Sequence, residues 1–436
     1  MRSGLPLVAL AFGINAGLAA IAPARAEEPA RAPDAVDLPV LLRLVRDASP
    51  RLAVERQAIA GAEAGRIAAE AYPNPTLSFG RFRPSGGQSG TLFDGNRQSQ
   101  ANLEVPVLIA GQRGARIERA EREIEAAQAR VASGASSLAA EAGAAYVALL
   151  AAQEKVVLLA AVNEELARLR NIVAGREASG MASRYDLARL DVELGGARAR
   201  LDEARAEVSD RSGALAALLG LRDWRPRAAG SLRPLALDAE ALAQPRDRAA
   251  TSPATVAAAR EETAARSAIE VARRERWPTP SVVAGRTWTS DPYGGANYLG
   301  LSVEIPILDT RRGPLARAEA DAITATLRRE LAQAEAGANL ERLANVIAAR
   351  QSALRRFEQD ASGRLSSLQQ MAEDAYRLGR GTILELLDST RSRYELEQAR
   401  IDLVAALYEA ELRFLATSGD LERRFGIAPP DATSGR

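Results

Sequence analysis

The chain has 436 residues, and its 57 Lys and Arg nearly balance its 56 Asp and Glu. Cys and His are both absent, which removes thiol nucleophiles, disulfides, imidazole bases and soft-ligand metal sites. The charge balance produces no field of one sign that would argue for nucleic acid. No catalytic or cofactor-binding constellation stands out, and the chain reads as a non-enzyme without a cofactor.

The first residues read as a secretory signal. Arg2 supplies the basic start, Leu5 to Ile21 is a mostly apolar run, and Ala24-Arg25-Ala26 is a small-x-small cleavage site, so residues 1–26 are expected to be removed. An N-terminal membrane anchor fits less well, because Gly13, Asn15 and Gly17 interrupt a short run. Beyond it no stretch approaches the roughly 20 apolar residues of a spanning helix. An exported chain of this kind is expected to be soluble or a membrane β-barrel.

The rest of the chain is written twice. Ser49-Pro50 returns as Ser252-Pro253, and Tyr72-Pro73-Asn74-Pro75 as Trp277-Pro278-Thr279-Pro280. Leu103-Glu104-Val105-Pro106-Val107-Leu108 returns as Val303-Glu304-Ile305-Pro306-Ile307-Leu308. Gly180 with Ser183, Asp186 and Leu187 returns as Gly379 with Thr382, Glu385 and Leu386. The four pairs keep their order at offsets near 200 residues. The spacing predicts a first repeat over 37–227, a connector over 228–246, a second repeat over 247–427 and a flexible tail over 428–436. Each repeat reads helix, strand, loop, strand, very long helix, tight turn, long helix.

In the first repeat, the strands Thr76–Arg83 and 98–108 flank the Gly-rich loop Pro84–Arg97. The second strand alternates, with Ala101, Leu103, Val105 and Val107 on one face and Gln100, Asn102 and Glu104 on the other. The long helix then carries Ile117, Ile124, Val131, Leu138, Ala145, Ala152, Leu159, Leu166 and Val173 at steps of seven. After Gly180 its partner carries Leu187, Leu190, Leu194, Ala197, Leu201, Ala204 and Val208, then Leu215 and Leu218, with Arg211 as the one polar interruption. This is a coiled-coil seam, and its 3.5-residue period predicts left-handed supercoiling. A helix of 60 residues would be roughly 90 Å long.

The second repeat follows suit. Strands are expected at Ser281–Thr289 and 297–308, around the loop Ser290–Ala296. Leu299, Leu301, Val303, Ile305 and Ile307 oppose Gly300, Ser302 and Glu304. Leu340, Ile347, Leu354, Ala361, Leu368 and Ala375 repeat the step of seven, and Ile383, Leu387, Tyr394, Ile401, Val404, Tyr408, Leu412 and Leu415 form the partner seam. Tyr72, Phe79, Phe82, Phe93, Trp277, Trp288, Tyr293 and Tyr298 gather in the two hairpins. Tyr72 and Trp277 at one end, with Trp288 and Tyr298 towards the other, are expected to form interfacial girdles.

The strand lengths suit a tilted membrane strand. Four strands cannot close a barrel, and an open edge in lipid leaves backbone groups unpaired at several kcal/mol each. A membrane role therefore forces several copies to share one barrel of 8, 12 or 16 strands. The alternative is a small soluble sheet on a coiled-coil rod.

From about Asp37 to Phe425 the chain resembles the outer-membrane efflux protein family typified by TolC. The most telling stretch is Ala375-Tyr376-Arg377-Leu378-Gly379-Arg380-Gly381-Thr382-Ile383-Leu384-Glu385-Leu386-Leu387-Asp388, which resembles the family's second helical tip. The strand start Asn74-Pro75 and Val107-Leu108-Ile109-Ala110-Gly111-Gln112-Arg113-Gly114 look closer to its heavy-metal-efflux branch. The resemblance implies a mainly α fold with a transmembrane β-barrel. Three copies would form a 12-stranded barrel on a twelve-helix tunnel through the periplasm, docked to a periplasmic adaptor and an inner-membrane transporter.

It also implies that Glu385 and Asp388 line the channel constriction. Their spacing of three places both on one helix face, although a solvated face near a helix N-terminus would look the same. Tyr376 and Asp186 match gate contacts, whereas the family's gate Arg position holds Gly381, with Arg380 adjacent. Gly180 and Gly379 would shape the helical tip turns. The implied function is a passive exit duct in the outer membrane, fed by the pump and adaptor. A periplasmic adaptor or coiled-coil scaffold is the alternative, but an adaptor would need a lipoyl-like β domain and a single hairpin. Metal cations, drugs and secreted peptides all remain open as cargo.

Overall fold

The computed structural model describes residues 32–82, 97–289, 294–360 and 362–427. The signal expected at 1–26, most of both hairpin loops (with Phe93 and Tyr293) and the tail lie outside these residues. A short strand β1 (Ala35–Val36) leads to helix α1 (Leu38–Ala48), which starts on Asp37, whose carboxylate accepts from Val40 N at 2.8 Å. Helix α2 (Pro50–Glu70), strands β2 (Thr76–Phe82) and β3 (Gln98–Pro106), and helices α3 (Gln112–Ala178) and α4 (Arg184–Leu219) follow. Strand β4 (Arg227–Ala228) pairs in parallel with β1, and α5 (Pro245–Ala250) ends the crossing between the two halves.

The same order then returns as α6 (Pro253–Arg274), β5 (Ser281–Thr289), β6 (Gly295–Ser302), α7 (Arg312–Asp360) with α8 (Ser362–Arg377), and α9 (Ile383–Ser418). The four-residue α10 (Leu421–Arg424) is last. Ser49 and Ser252 stand at the N-caps of α2 and α6, each followed by Pro at a position whose missing N–H has no intrahelical partner to lose. At 1.5 Å per residue the 67-residue α3 is about 100 Å long.

The strands form one antiparallel sheet in the order β2-β3-β5-β6, so the two halves join at β3–β5. Its register sorts side chains by face. Leu77, Leu103, Ala284 and Leu299 form one apolar row, and Val105, Val282 and Leu301 the next. The opposite face carries Thr76, Ser78, Gln100, Asn102, Glu104 and Thr287. The apolar residues are not covered by this chain: Phe79 is 72% exposed, Leu299 77% and Leu301 78%.

Four details differ from the sequence reading. Strand β6 stops at Ser302, leaving Val303, Ile305 and Ile307 exposed and outside the ladder. Its only neighbour, β5, begins at Ser281, behind Pro278 and Pro280, which have no N–H to give. Tyr298 lies on the polar face and not in an apolar girdle. It pairs across from Gly285 in the middle of β5, so closely that a methyl group at 285 would collide with its ring. Its hydroxyl donates to Asn102 Oδ1 and accepts from Gln100 Nε2 at 2.9 Å.

In α4, Arg211 is exposed and paired with Glu207 at 3.3 Å. Ser212 takes the buried seam position instead, its Oγ donating to Pro226 O at 2.8 Å. Finally, one 18-residue window of α3 has mean hydropathy 1.7, enough by length and composition to cross a membrane, against the expectation of none. Of that window 44% is buried, because α3 packs on α1, α2, α4, α6 and α9, and a core helix satisfies the same criterion.

The seams are buried along much of their length, whereas Ile117, Ile124, Val131 and Ala145 of α3 and Leu354 of α7 are only half-buried. In the first half of α3, Ala115, Ala120, Ala126 and Ala127 are buried. Leu138, Ala152, Leu159, Leu166 and Val173 of α3 are buried, as are Leu190, Leu194, Ala197, Leu201 and Ala204 of α4. Leu340 and Ile347 of α7 are fully buried, and Ile401, Val404, Tyr408, Leu412 and Leu415 of α9 are buried too. Three buried carboxylates fasten the helices, among them Glu262 of α6, which accepts from Thr326 of α7 at 2.9 Å and from Arg329 of α7 at 2.6 Å. Glu165 of α3 receives Arg393 and Thr390 of α9, the latter at 3.2 Å. Glu411 of α9, with no exposed surface, accepts from Leu235 N and from Leu237 N at 3.2 Å, while Gln351 of α7 donates to Leu237 O at 2.8 Å. With Gln153 bonded both ways to Ala228 and Tyr146 donating to Ala229 O, the connector is bound along the helices.

Glu411→Ala leaves two buried amides without an acceptor and is expected to lower unfolding stability by about 2–4 kcal/mol; an unchanged denaturation midpoint would contradict this. Glu165 is held above its ordinary carboxylate value, because burial outweighs Arg393 and Thr390. A raised folded-state value means that protonation favours the fold. The cost of the charge therefore grows as pH rises from the ordinary value through the folded one, and is constant above. Glu165→Gln should thus gain stability relative to the parent between pH 4 and pH 8. A shift in the opposite direction would show that the attraction of Arg393 dominates.

Candidate functional site

The residues singled out in the sequence gather where the two long hairpins turn. The first turn joins α3 to α4 and the second joins α8 to α9. Both use one solution. Gly180 (φ 74°) and Gly379 (φ 71°) take the left-handed conformation after their helices. Met181 N then returns to Arg176 O at 2.7 Å, and Arg380 N to Ala375 O at 2.8 Å. Such a six-to-one closure needs a residue free of a Cβ penalty.

Both following helices open on a capping box. Ser183 Oγ accepts from Asp186 N at 3.1 Å while Asp186 Oδ2 accepts from Ser183 N at 3.1 Å. Thr382 Oγ1 accepts from Glu385 N at 3.3 Å while Glu385 Oε2 accepts from Thr382 N at 3.0 Å. Asp186 and Glu385 are therefore equivalent positions of the two halves. Each spends one oxygen on the backbone of its own turn.

Apolar packing fuses the two tips. Leu166, Leu169 and Val173 of α3 share one core with Leu190 and Leu194 of α4, Tyr376 of α8, and Ile383, Leu386 and Leu387 of α9. Tyr376 is 7% exposed. Burial first, and then the charge of Asp186, push its phenol above the usual value, while Arg176 acts in the opposite sense. Tyr376 and Asp186 thus lie within electrostatic reach of each other. Arg176, which sequence reading passed over, stands between the hairpins: its guanidinium carbon is 4.9 Å from the centre of the Tyr376 ring. The only sequence signal was a basic residue in the last turn of a helix.

Glu385 and Asp388 are exposed and one turn apart on α9. They line a shallow groove with Arg189 and Glu193 of α4 and Arg391 of α9, where Arg189 pairs with Glu193 at 3.8 Å and Arg391 with Glu395 at 3.4 Å. Arg380 is exposed at the end of the second tip, and Gly381 sits against Ala375. Among the described residues no cluster of acidic side chains has the arrangement of a metal site.

The description "Outer membrane efflux protein" matches residues 41–221. The nickel-cobalt-cadmium resistance protein NccC of Alcaligenes xylosoxydans xylosoxydans is 30% identical over 73% of this chain and 72% of its own length. The cobalt-zinc-cadmium resistance protein CzcC of Cupriavidus metallidurans is 25% identical over 88% of this chain and 90% of its own. In fold, the chain is similar to a crystal structure of CusC, a transmembrane channel, with a TM-score of 0.70 at 19% identity, covering 87% of this chain and 91% of that one. The long hairpins, the four-stranded sheet and these likenesses lead to one conclusion: the chain belongs to the outer membrane efflux protein family, as the outer-membrane channel of a tripartite efflux system.

Proposed function

We propose that three copies of the chain close a 12-stranded barrel in the outer membrane and continue it as a twelve-helix tunnel into the periplasm. The observation that carries this is the open sheet. Strands β2 and β6 are its edges, each paired on one side only. Four alternating antiparallel strands leave β6 running opposite to β2, so β6 of one copy fits β2 of the next without a change of pattern. In lipid every such backbone group needs a partner, and closure supplies them all at once. The exposed row of Leu77, Leu299 and Leu301 then faces the hydrocarbon, and the Gln100, Asn102 and Tyr298 network faces the pore. Within each copy, 37–227 and 247–427 act as two repeats joined by 228–246.

The duct performs no chemistry. A periplasmic adaptor and an inner-membrane transporter supply cargo and energy, and the tips open by trading contacts between hairpins for contacts with the adaptor. Tyr376 and Asp186 hold the closed tip, with Arg380 free to meet a neighbouring copy. Glu385 and Asp388, repeated three times round one axis, form the constriction, a ring that attracts cations and hinders anions. The names of NccC and CzcC favour divalent metal cations as cargo. With no His or Cys, selection of the metal falls to the pump.

Three measurements bear on this reading. The purified protein should run as a detergent-stable trimer; a water-soluble monomer would end the barrel proposal. Tyr376→Phe with Asp186→Ala should leak more current in planar bilayers, and unchanged conductance would remove the gate from these residues. Glu385→Gln with Asp388→Asn keeps the capping box, since Gln serves equally at that position. It should move the reversal potential in a salt gradient towards that of a non-selective pore, and a fixed potential would place the ring elsewhere.

A further inference from the structure

We propose that Arg176 is the latch of the closed tip, a positioning residue of the first hairpin that holds the second hairpin against it. The proposal rests on the reading of the tips as a gate. Several observations meet on this one side chain. Its Nη1 donates to the backbone oxygen of Tyr376 and, at 3.3 Å, to that of Arg377. These carbonyls belong to the last turn of α8, where the helix dipole is negative, and the Tyr376 oxygen also accepts from Gly379 N at 3.1 Å, so the guanidinium fastens the turn as well as the helix end. The same guanidinium lies over the buried ring of Tyr376, where a cation–π contact shielded from water is strongest. Its Nη2 reaches the turn itself, 3.9 Å from where a Cβ on Gly379 would stand. Its Nε is buried and donates to no described atom.

The arrangement is one-way. All the donors come from α3 and all the acceptors from the end of α8, so drawing the second tip away from the first breaks two charged hydrogen bonds and the ring contact together. It also answers the loss at position 381. A guanidinium rooted in the first tip bridges the same gap that Gly381 has no side chain to cross. Lysine could reach one carbonyl, but it lacks the planar fork that stacks on a ring while donating in two directions. The latch acts within one copy, so its loss frees the tip without unpairing a barrel strand.

The absence of Cys gives a direct test, because Arg176→Cys introduces a single thiol into the full-length channel. In planar bilayers Arg176→Ala and Arg176→Cys should each raise conductance by about tenfold, the effect of losing one charged hydrogen-bond set on a two-state equilibrium. A cationic methanethiosulfonate reagent should return part of the closure to Arg176→Cys, to about the level of Arg176→Lys, and an anionic reagent of similar size should not. Arg176→Lys, which keeps charge and length and decides the matter if the shorter side chains fail to assemble, should fall between parent and Ala. Conductance unchanged in these variants while Tyr376→Phe with Asp186→Ala leaks would overturn the latch and leave the gate standing. No leak in either set would overturn both. Equal closure by the two reagents would also overturn the latch, because filled volume and not charge would then hold the tip.

Discussion

A β-strand edge carries a row of donors and acceptors that water satisfies and lipid does not. In this chain two such edges, β2 and β6, bound a four-stranded sheet whose apolar face is bare. The sheet is therefore unfinished in a way that only more strands can mend. The rest of the molecule is arranged around that need. The helices emerge from one end of the strands and run as paired rods, and the chain is duplicated so that two hairpins meet at β3–β5 instead of leaving four edges. On the proposed reading, the pore comes from association, and each copy need encode only one sector of it.

The helices face a different constraint. A rod some 100 Å long cannot gather a globular core, so its stability is spread thinly along alanine-rich seams in which neighbours approach closely but each residue buries little. The chain compensates at intervals with polar fasteners. Glu165 with Arg393 and Thr390, Glu411 with the connector amides, and Gln153 with Ala228 each tie elements distant in sequence. Buried pairs of this kind set register more than they add stability, and register is what a long coiled coil most lacks. The raised position of Glu165 shows that the desolvation is not fully offset.

At the tips the two constraints converge. The capping boxes, the left-handed glycines and the shared apolar core make each turn rigid in itself. What joins the turns to each other is a separate contact. That contact is polar and narrow: a guanidinium on a ring and two carbonyls, with a carboxylate nearby. A few charged hydrogen bonds are the right size for a switch, because their loss can be offset by a partner's contacts without unfolding either hairpin.

The amino-acid sequence by itself determined the duplication, the helical seams, the turn glycines and the alternation of β3, because each is a local period or a special backbone demand that repeats at a fixed offset. It paired Ser49-Pro50 with Ser252-Pro253 and Asp186 with Glu385 as matching positions of the two halves, where a fixed offset gives the answer. Tertiary structure decided what lay across space. Tyr298, on the polar face by its strand's own alternation, met Gly285, Gln100 and Asn102 across the sheet, β6 ended at Ser302, and Ser212 took the buried seam position beside the Pro226 carbonyl. Arg176 gained its role only when α3 and α8, 200 residues apart at Tyr376, were brought together. No period in a sequence encodes such a meeting, since it depends on how two rigid hairpins lie against each other.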